Sequence, residues 1–226
     1  MTQEARNNPK LTVGVLYGFR ALMVLGVCNF HFWQQSWLAQ QVTVAGKAIN
    51  FDFFTRSGYI FVDGMLLLSG FLLYLPYAQA AETHMPVPDT GTFYWKRFIR
   101  IVPSYLASVF LLLFFVALPG GAYPSAGAGV ADVLTHLTFT FTFFPNTYLY
   151  TQLNVVLWTI GIEVQFYLIF PLIVRCMHKK PALTLSVMAL TGILFRAVLG
   201  LMTDDLLMLV NQMPSCLDVY ALGMLG

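Results

Sequence analysis

Five side chains interrupt the apolar stretches of this chain with groups able to do chemistry: Arg20, His31, Arg97, Arg100 and Glu163. A neutral histidine can accept a hydroxyl proton, and burial tends to keep it neutral. An arginine nearby can orient a substrate or stabilise developing negative charge. Arg20 and His31 stand eleven residues apart in YGFRALMVLGVCNFHFWQQSW. Eleven residues make about three helical turns, so both point to nearly the same side, roughly 16 Å apart along the axis. Arginine inside a lipid-facing helix is expensive and normally faces a bundle interior or a polar cavity. The plainer accounts are snorkelling for Arg20 and a packed, hydrogen-bonded histidine for His31.

Glu163 lies in the middle of WTIGIEVQFYLIFP. A carboxylate at membrane depth must be protonated, paired or solvated. Tyr167 shares its face at i+4, whereas Gln165 points elsewhere. A structural pair with an arginine and a role in proton transfer or substrate binding both fit. Arg97 and Arg100 lie three apart on one helical face. They suit a phosphate-like anion, which arginine grips through two parallel hydrogen bonds, and they also serve as inside-facing topology residues. Arg56, Arg196 and Asp218 read as lone charges marking helix ends. His84, His136 and His178 fall in separate segments, and HExxH, GxGxxG, Walker A and GxSxG patterns are absent, so no metal or bound cofactor is expected.

The elements that must position these groups are membrane helices. Of 226 residues, 58% are hydrophobic and only 10% charged, and the mean hydropathy is +0.71. Soluble domains carry about a quarter charged residues. The fold class expected is all-α, a polytopic transmembrane helix bundle. No basic patch interleaves with stacking aromatics, so nucleic acid is excluded as a partner. Residues 1–14 read as a cytoplasmic N-terminal segment, with Arg6 and Lys10 ahead of the first span. No small-residue cleavage site follows, so this is not a signal peptide. Spans are expected at about 15–37, 60–78, 101–118, 154–174 and 182–201, with an incomplete helix from about 217.

Residues 38–59 are too polar to span and read as an outer loop or interfacial piece. Pro76 is expected to kink or end its helix. Residues 79–100 form a loop that becomes basic. In 133–150, threonine alternates with aromatic residues like a strand, but an isolated strand cannot cross lipid. A short or re-entrant helix broken near Pro145-Asn146 is expected instead, which also keeps the basic cluster at Arg175 to Lys180 inside. Cys28, Cys176 and Cys216 form no disulfide framework and read as buried small hydrophobes. The chain stops at Gly226 just as a new apolar segment begins after Pro214, which reads as a C-terminal truncation.

Five blocks, in order, resemble the membrane-bound acyltransferase 3 family, multispan enzymes that acylate sugars and related acceptors. The first is Arg20, ten residues, then His31. The second is FVDGMLLLSGFLL, with Asp63, Ser69, Gly70 and Phe71. The third is FYWKRFIRIVPSY, where Arg97 and Arg100 match the family's Arg-x-x-Arg and Pro103 and Tyr105 follow. The fourth is WTIGIEVQFYLIFP, supplying Trp158, Glu163, Phe166, Tyr167 and Pro171. The fifth is LDVYALGM, with Asp218, Tyr220, Gly223 and Met224. Gly64 and Met65 depart from the pattern, where the family commonly has Leu/Phe-Phe.

The resemblance implies a bundle of about ten spans, of which this would be a part. It implies an acyl-CoA donor, often acetyl-CoA, and a carbohydrate or cell-envelope acceptor. It also implies placement among membrane lipids in a bacterial cytoplasmic (inner) membrane with the N-terminus inside. His31 would then be the base, Arg20 would orient the donor or stabilise charge, and Glu163 would orient one of them or relay a proton. Arg97 and Arg100 would hold the donor. The alternative is a transporter or exporter of a small anionic or acylated molecule, for which intramembrane Arg, His and Glu serve equally.

Overall fold

The computed structural model describes residues 9–38 and 41–225, with side chains from residue 14 onward. Residues 1–8, most of the expected N-terminal segment, lie outside the described residues. The chain is predominantly α-helical. Among the described residues, five helical runs are long and apolar enough to cross a membrane: Gly14–Ser36, Asp52–Thr83, Thr90–Ala117, Val155–Lys179 and Pro181–Leu199. Large apolar side chains such as Leu22 and Phe115 are 65% and 75% exposed on these runs, as a bilayer solvent permits. Contacts divide the chain into two compact units, residues 1–69 and 70–226.

In the first unit, α1 (Pro9–Ser36) is uninterrupted because Pro9 opens it and no other proline lies within it. It ends where Trp37 turns left-handed at φ 52°. Residues 38–59 are not a plain loop. Strands β1 (Gln41–Val44) and β2 (Lys47–Asn50) pair antiparallel with Val44 opposite Lys47. The turn residues Ala45 and Gly46 both have positive φ, the geometry of a two-residue hairpin turn. Helix α2 (Asp52–Arg56) and a single 3-10 turn (Ser57–Tyr59) then lead directly into α3 (Ile60–Thr83).

Arg56 is not a lone charge. Its Nε lies 2.7 Å from Asp52 Oδ2, and its guanidinium sits 5.1 Å above the Trp33 ring. Helix α1 runs beside the start of α3 because a small residue admits a large one: a Cβ on Gly26 would come within 2.3 Å of the Phe61 ring. Small residues allow membrane helices this approach.

The second unit takes up α3 at Gly70. Pro76 stays inside the helix, which ends only where His84 turns left-handed at φ 54° and Met85 N–H reaches back to the Ala80 carbonyl at 3.0 Å, a Schellman closure. Helix α4 (Thr90–Leu112) starts well before residue 101, because Asp89 caps it by accepting from Thr92 N–H at 2.8 Å. That hydrogen bond holds the Asp89 carboxyl below the usual carboxylate range. The arginine block therefore lies on a helix and not in a loop. A π turn (Leu113–Ala117) extends α4.

Helix α5 (Ala126–Leu137) is capped by Ser125. It is 12 residues long, about 18 Å, too short for a hydrocarbon core of about 30 Å. A 3-10 turn (Phe141–Phe143), the one-turn α6 (Pro145–Tyr148) and a second 3-10 turn (Val155–Leu157) follow, so the Thr/aromatic alternation forms no strand. Next come α7 (Trp158–Lys179), α8 (Pro181–Leu199), the short α9 (Leu206–Val210), a 3-10 turn (Pro214–Cys216) and α10 (Leu217–Leu225).

The core of this unit joins Tyr105, Val109 and Leu113 of α4 to Phe141, Tyr148, Leu153 and Leu157. Gln165 of α7 donates to the Phe139 carbonyl at 2.7 Å, and Gln212 donates to that of Thr142. These bonds satisfy backbone groups that have no helical partner. Arg196 and Asp218, expected as lone charges, form an ion pair between α8 and α10, and Arg196 also donates to the Ser215 carbonyl. Cys216 is buried, whereas Cys28 and Cys176 are exposed on their helices rather than buried.

Candidate functional site

In the first unit, Arg20 and His31 both sit half-buried on α1. His31 Nδ1 lies 3.2 Å from Gln34 Oε1, one turn further on. An amide oxygen only accepts, so in this arrangement Nδ1 carries the proton. A neutral imidazole with that hydrogen bond has its lone pair at Nε2, the nitrogen a general base would use. The Phe30 ring, 5.4 Å away, flanks the imidazole. Asp63 stands in the first turn of α3.

In the second unit, α4 and α7 meet along a seam. Tyr167 is 7% exposed, and its hydroxyl donates to Glu163 Oε2 at 3.1 Å, the i+4 partner expected from spacing. The Arg97 guanidinium lies 5.7 Å from the Tyr167 ring centre and 5.7 Å from that of Phe93. An arginine over aromatic faces is attracted by their quadrupoles, more strongly where water is excluded. Its Nε is buried and makes no hydrogen bond among the described residues. The structure thus links Arg97 to Glu163 through Tyr167. Arg100, one turn on, is exposed and stands apart from this chain of contacts.

The resembling blocks of this unit converge on α7. Gly70 packs so closely under the Tyr220 carbonyl that a Cβ there would come within 2.6 Å. The Tyr220 ring stacks on Phe166 at 3.7 Å, and Arg97 covers the next residue, Tyr167. The family model for an acyltransferase domain matches residues 15–225. The chain belongs to the acyltransferase 3 family. It is similar to Acyltransferase MdmB of Streptomyces mycarofaciens, 33% identical over 175 residues, which cover 74% of this chain and 40% of that relative. The chain therefore spans about 40% of the length of the curated relative it matches. No solved structure matches.

Sequence reasoning missed two features of this acyltransferase-family chain. Gln34 is one, although its i+3 spacing from His31 is readable. The other is a buried polar cluster on α5. Asp132, 3% exposed, accepts from Tyr123 Oη at 3.0 Å, Thr151 Oγ1 at 2.9 Å and Gln152 N–H at 3.1 Å. His136, fully buried, places Nδ1 2.8 Å from the Asp132 carbonyl oxygen and 3.3 Å from its Oδ1. Burial, then the Asp132 carboxylate, pushes the Tyr123 phenol well above its ordinary range. The i,i+4 spacing of Asp132 and His136 was the available signal.

Cavities open in the second unit. One of about 520 Å³ is apolar and is lined by Ala117, Tyr123, Ala126, Gly129 and Val130. A cleft of about 200 Å³ is lined by Tyr77, Pro88, Thr90, Val174, Arg175 and His178. Among the described residues, no group of three or more His, Cys, Asp or Glu side chains is placed to hold a metal ion.

Proposed function

We propose that the protein works as an integral membrane O-acyltransferase. It moves an acyl group, acetyl in the simplest case, from acyl-CoA to a hydroxyl of a carbohydrate or other cell-envelope acceptor. The observation that carries this reading is the family match over residues 15–225, which takes in every intramembrane Arg, His and Glu considered above. Placement in a bacterial cytoplasmic membrane, with residues 1–14 inside and 133–150 dipping in and returning, belongs to the same reading.

In this mechanism His31 Nε2 takes the proton of the acceptor hydroxyl as its oxygen attacks the thioester carbonyl. Arg20, about three helical turns from His31 on nearly the same side, orients the donor. Collapse of the tetrahedral adduct breaks the C–S bond, and the CoA thiolate leaves and takes the proton back from His31. Arg97 and Arg100 bind donor phosphates. Glu163 holds Tyr167, and Tyr167 in turn carries Arg97.

The test is a transfer assay on the whole protein in membranes, with radiolabelled acyl-CoA and envelope glycans as acceptors. Wild type should release free CoA thiol and label the glycan. Arg97→Gln with Arg100→Gln should raise the donor KM by about tenfold or more. If the thioester stays intact while a labelled solute crosses the membrane, the protein is a transporter and the acyltransferase reading fails.

A further inference from the structure

We propose that the cleft at the far end of the α4–α7 seam is a second anion site, binding the ribose-phosphate end of the donor through Arg175 and His178. The proposal rests on the reading above that acyl-CoA is the donor.

The two helices run antiparallel, and their contacts step regularly. Arg97 lies over Tyr167. Tyr94 Oη donates to the Leu168 carbonyl at 2.9 Å, and the Phe93 ring stacks on Phe170 at 5.2 Å. Thr90 then shares the cleft with Val174, Arg175 and His178. On α4, positions 90, 93 and 97 form one i, i+3, i+7 stripe; on α7, positions 167, 170, 174 and 178 form another. The cleft is therefore the continuation of the surface that holds Arg97. The rise from Thr90 to Arg97 is roughly 10 Å.

Two cationic positions at that separation fit a ligand with two separate anionic groups. A diphosphate at one point and a phosphate on the ribose at another is the charge pattern of CoA. The cleft has room for one end of such a ligand and not the whole, since pockets for complete small molecules run from about 300 Å³ upward and this one is about 200 Å³.

Its walls come from α3, α4, α7 and the segment between α3 and α4, with Arg175 and His178 exposed on α7. Val87 and Pro88 form one side, on a segment anchored by the left-handed His84 and the Asp89 cap. The Tyr77 ring forms another and meets Phe170 edge-on at 5.7 Å. Asp89, the acid beside Thr90, has its carboxylate engaged in capping α4. Basic residues at the C-terminal end of α7 also suit its dipole and an inner membrane face. Those effects explain the charges but not their placement against an aromatic and a proline wall.

The experiment measures binding of CoA and of 3′-dephospho-CoA to the whole protein in nanodiscs. Wild type should bind CoA about tenfold more tightly, the scale of one lost charge-assisted contact. Arg175→Gln with His178→Gln should lose about that factor on CoA and bind the two nucleotides alike. Arg97→Gln with Arg100→Gln should weaken both nucleotides and leave their ratio. If the glutamine pair fails to reach the membrane, Arg175→Lys alone should narrow the ratio without abolishing it. Equal binding of both nucleotides by wild type, or equal weakening by the Arg175/His178 variant, overturns the subsite alone. Binding of neither by wild type overturns the donor reading with it.

Discussion

His31 and His136 are both helical histidines, and they stand in opposite surroundings. His31 is half-buried, and its ring nitrogen meets the neutral Gln34 of its own helix. His136 is fully buried, stacked on Phe141 at 4.0 Å, and placed against an Asp132 that already holds Tyr123, Thr151 and Gln152. A base has to present a nitrogen to an incoming hydroxyl. His136 keeps its polar contact within α5, on Asp132, and packs its ring face on the segment that follows. The surroundings, more than the residue type, separate a candidate catalytic histidine from a structural one.

The largest differences should appear at the histidines themselves. His31→Ala should cut transfer by about a thousandfold while membrane insertion and thermal unfolding stay as in wild type. His136→Ala should do the reverse, lowering the unfolding temperature with activity of the folded fraction retained; a pure rate defect there would reverse the assignment. Asp132→Ala removes the shared acceptor of Tyr123, Thr151 and Gln152 and should cost about 3 kcal/mol of stability, read by thermal unfolding in detergent.

Smaller effects sharpen the picture of each site. Gln34→Ala should lower kcat/KM by about tenfold by releasing the His31 ring, and Gln34→Glu, which keeps an acceptor, should recover part of it. Tyr167→Phe keeps the ring under Arg97 but loses the bond to Glu163. It should cost about fivefold in kcat, the scale of one hydrogen bond, whereas Tyr167→Leu should also raise the donor KM. Least of all at neutral pH is the Tyr123 effect. Its phenol is held above the ordinary value of 10.0 in the folded state, so the folded state binds that proton more tightly than the unfolded one. The resulting stability is complete below about pH 10 and is lost as pH rises through the higher folded value. Tyr123→Phe should flatten that alkaline loss in a pH series of unfolding curves.

Much of the architecture was legible because hydrophobic runs and helical spacing are local. The long helix carrying Arg20 and His31, the i+4 pair of Glu163 and Tyr167 and the five family blocks all follow from short stretches of chain. The hairpin at 41–50 was hidden because strands of four residues produce almost no periodic signal. The early start of α4 was hidden by polar and basic residues, although Asp89 followed by Thr90 is an N-cap signal. Arg196 and Asp218 looked solitary because they are 22 residues apart and meet only when α8 packs on α10.

By itself, the sequence determined that this is a helical membrane chain of the acyltransferase 3 family and which side chains are costly enough in lipid to demand a reason. Those properties depend on composition and on spacings within one helix. Only the tertiary structure decided that Arg97 reaches Glu163 through an aromatic ring, that Arg175 and His178 line a cleft on the same seam, and that His136 is sealed in a core. Each depends on which helix faces pack together, and packing joins residues that no local pattern connects.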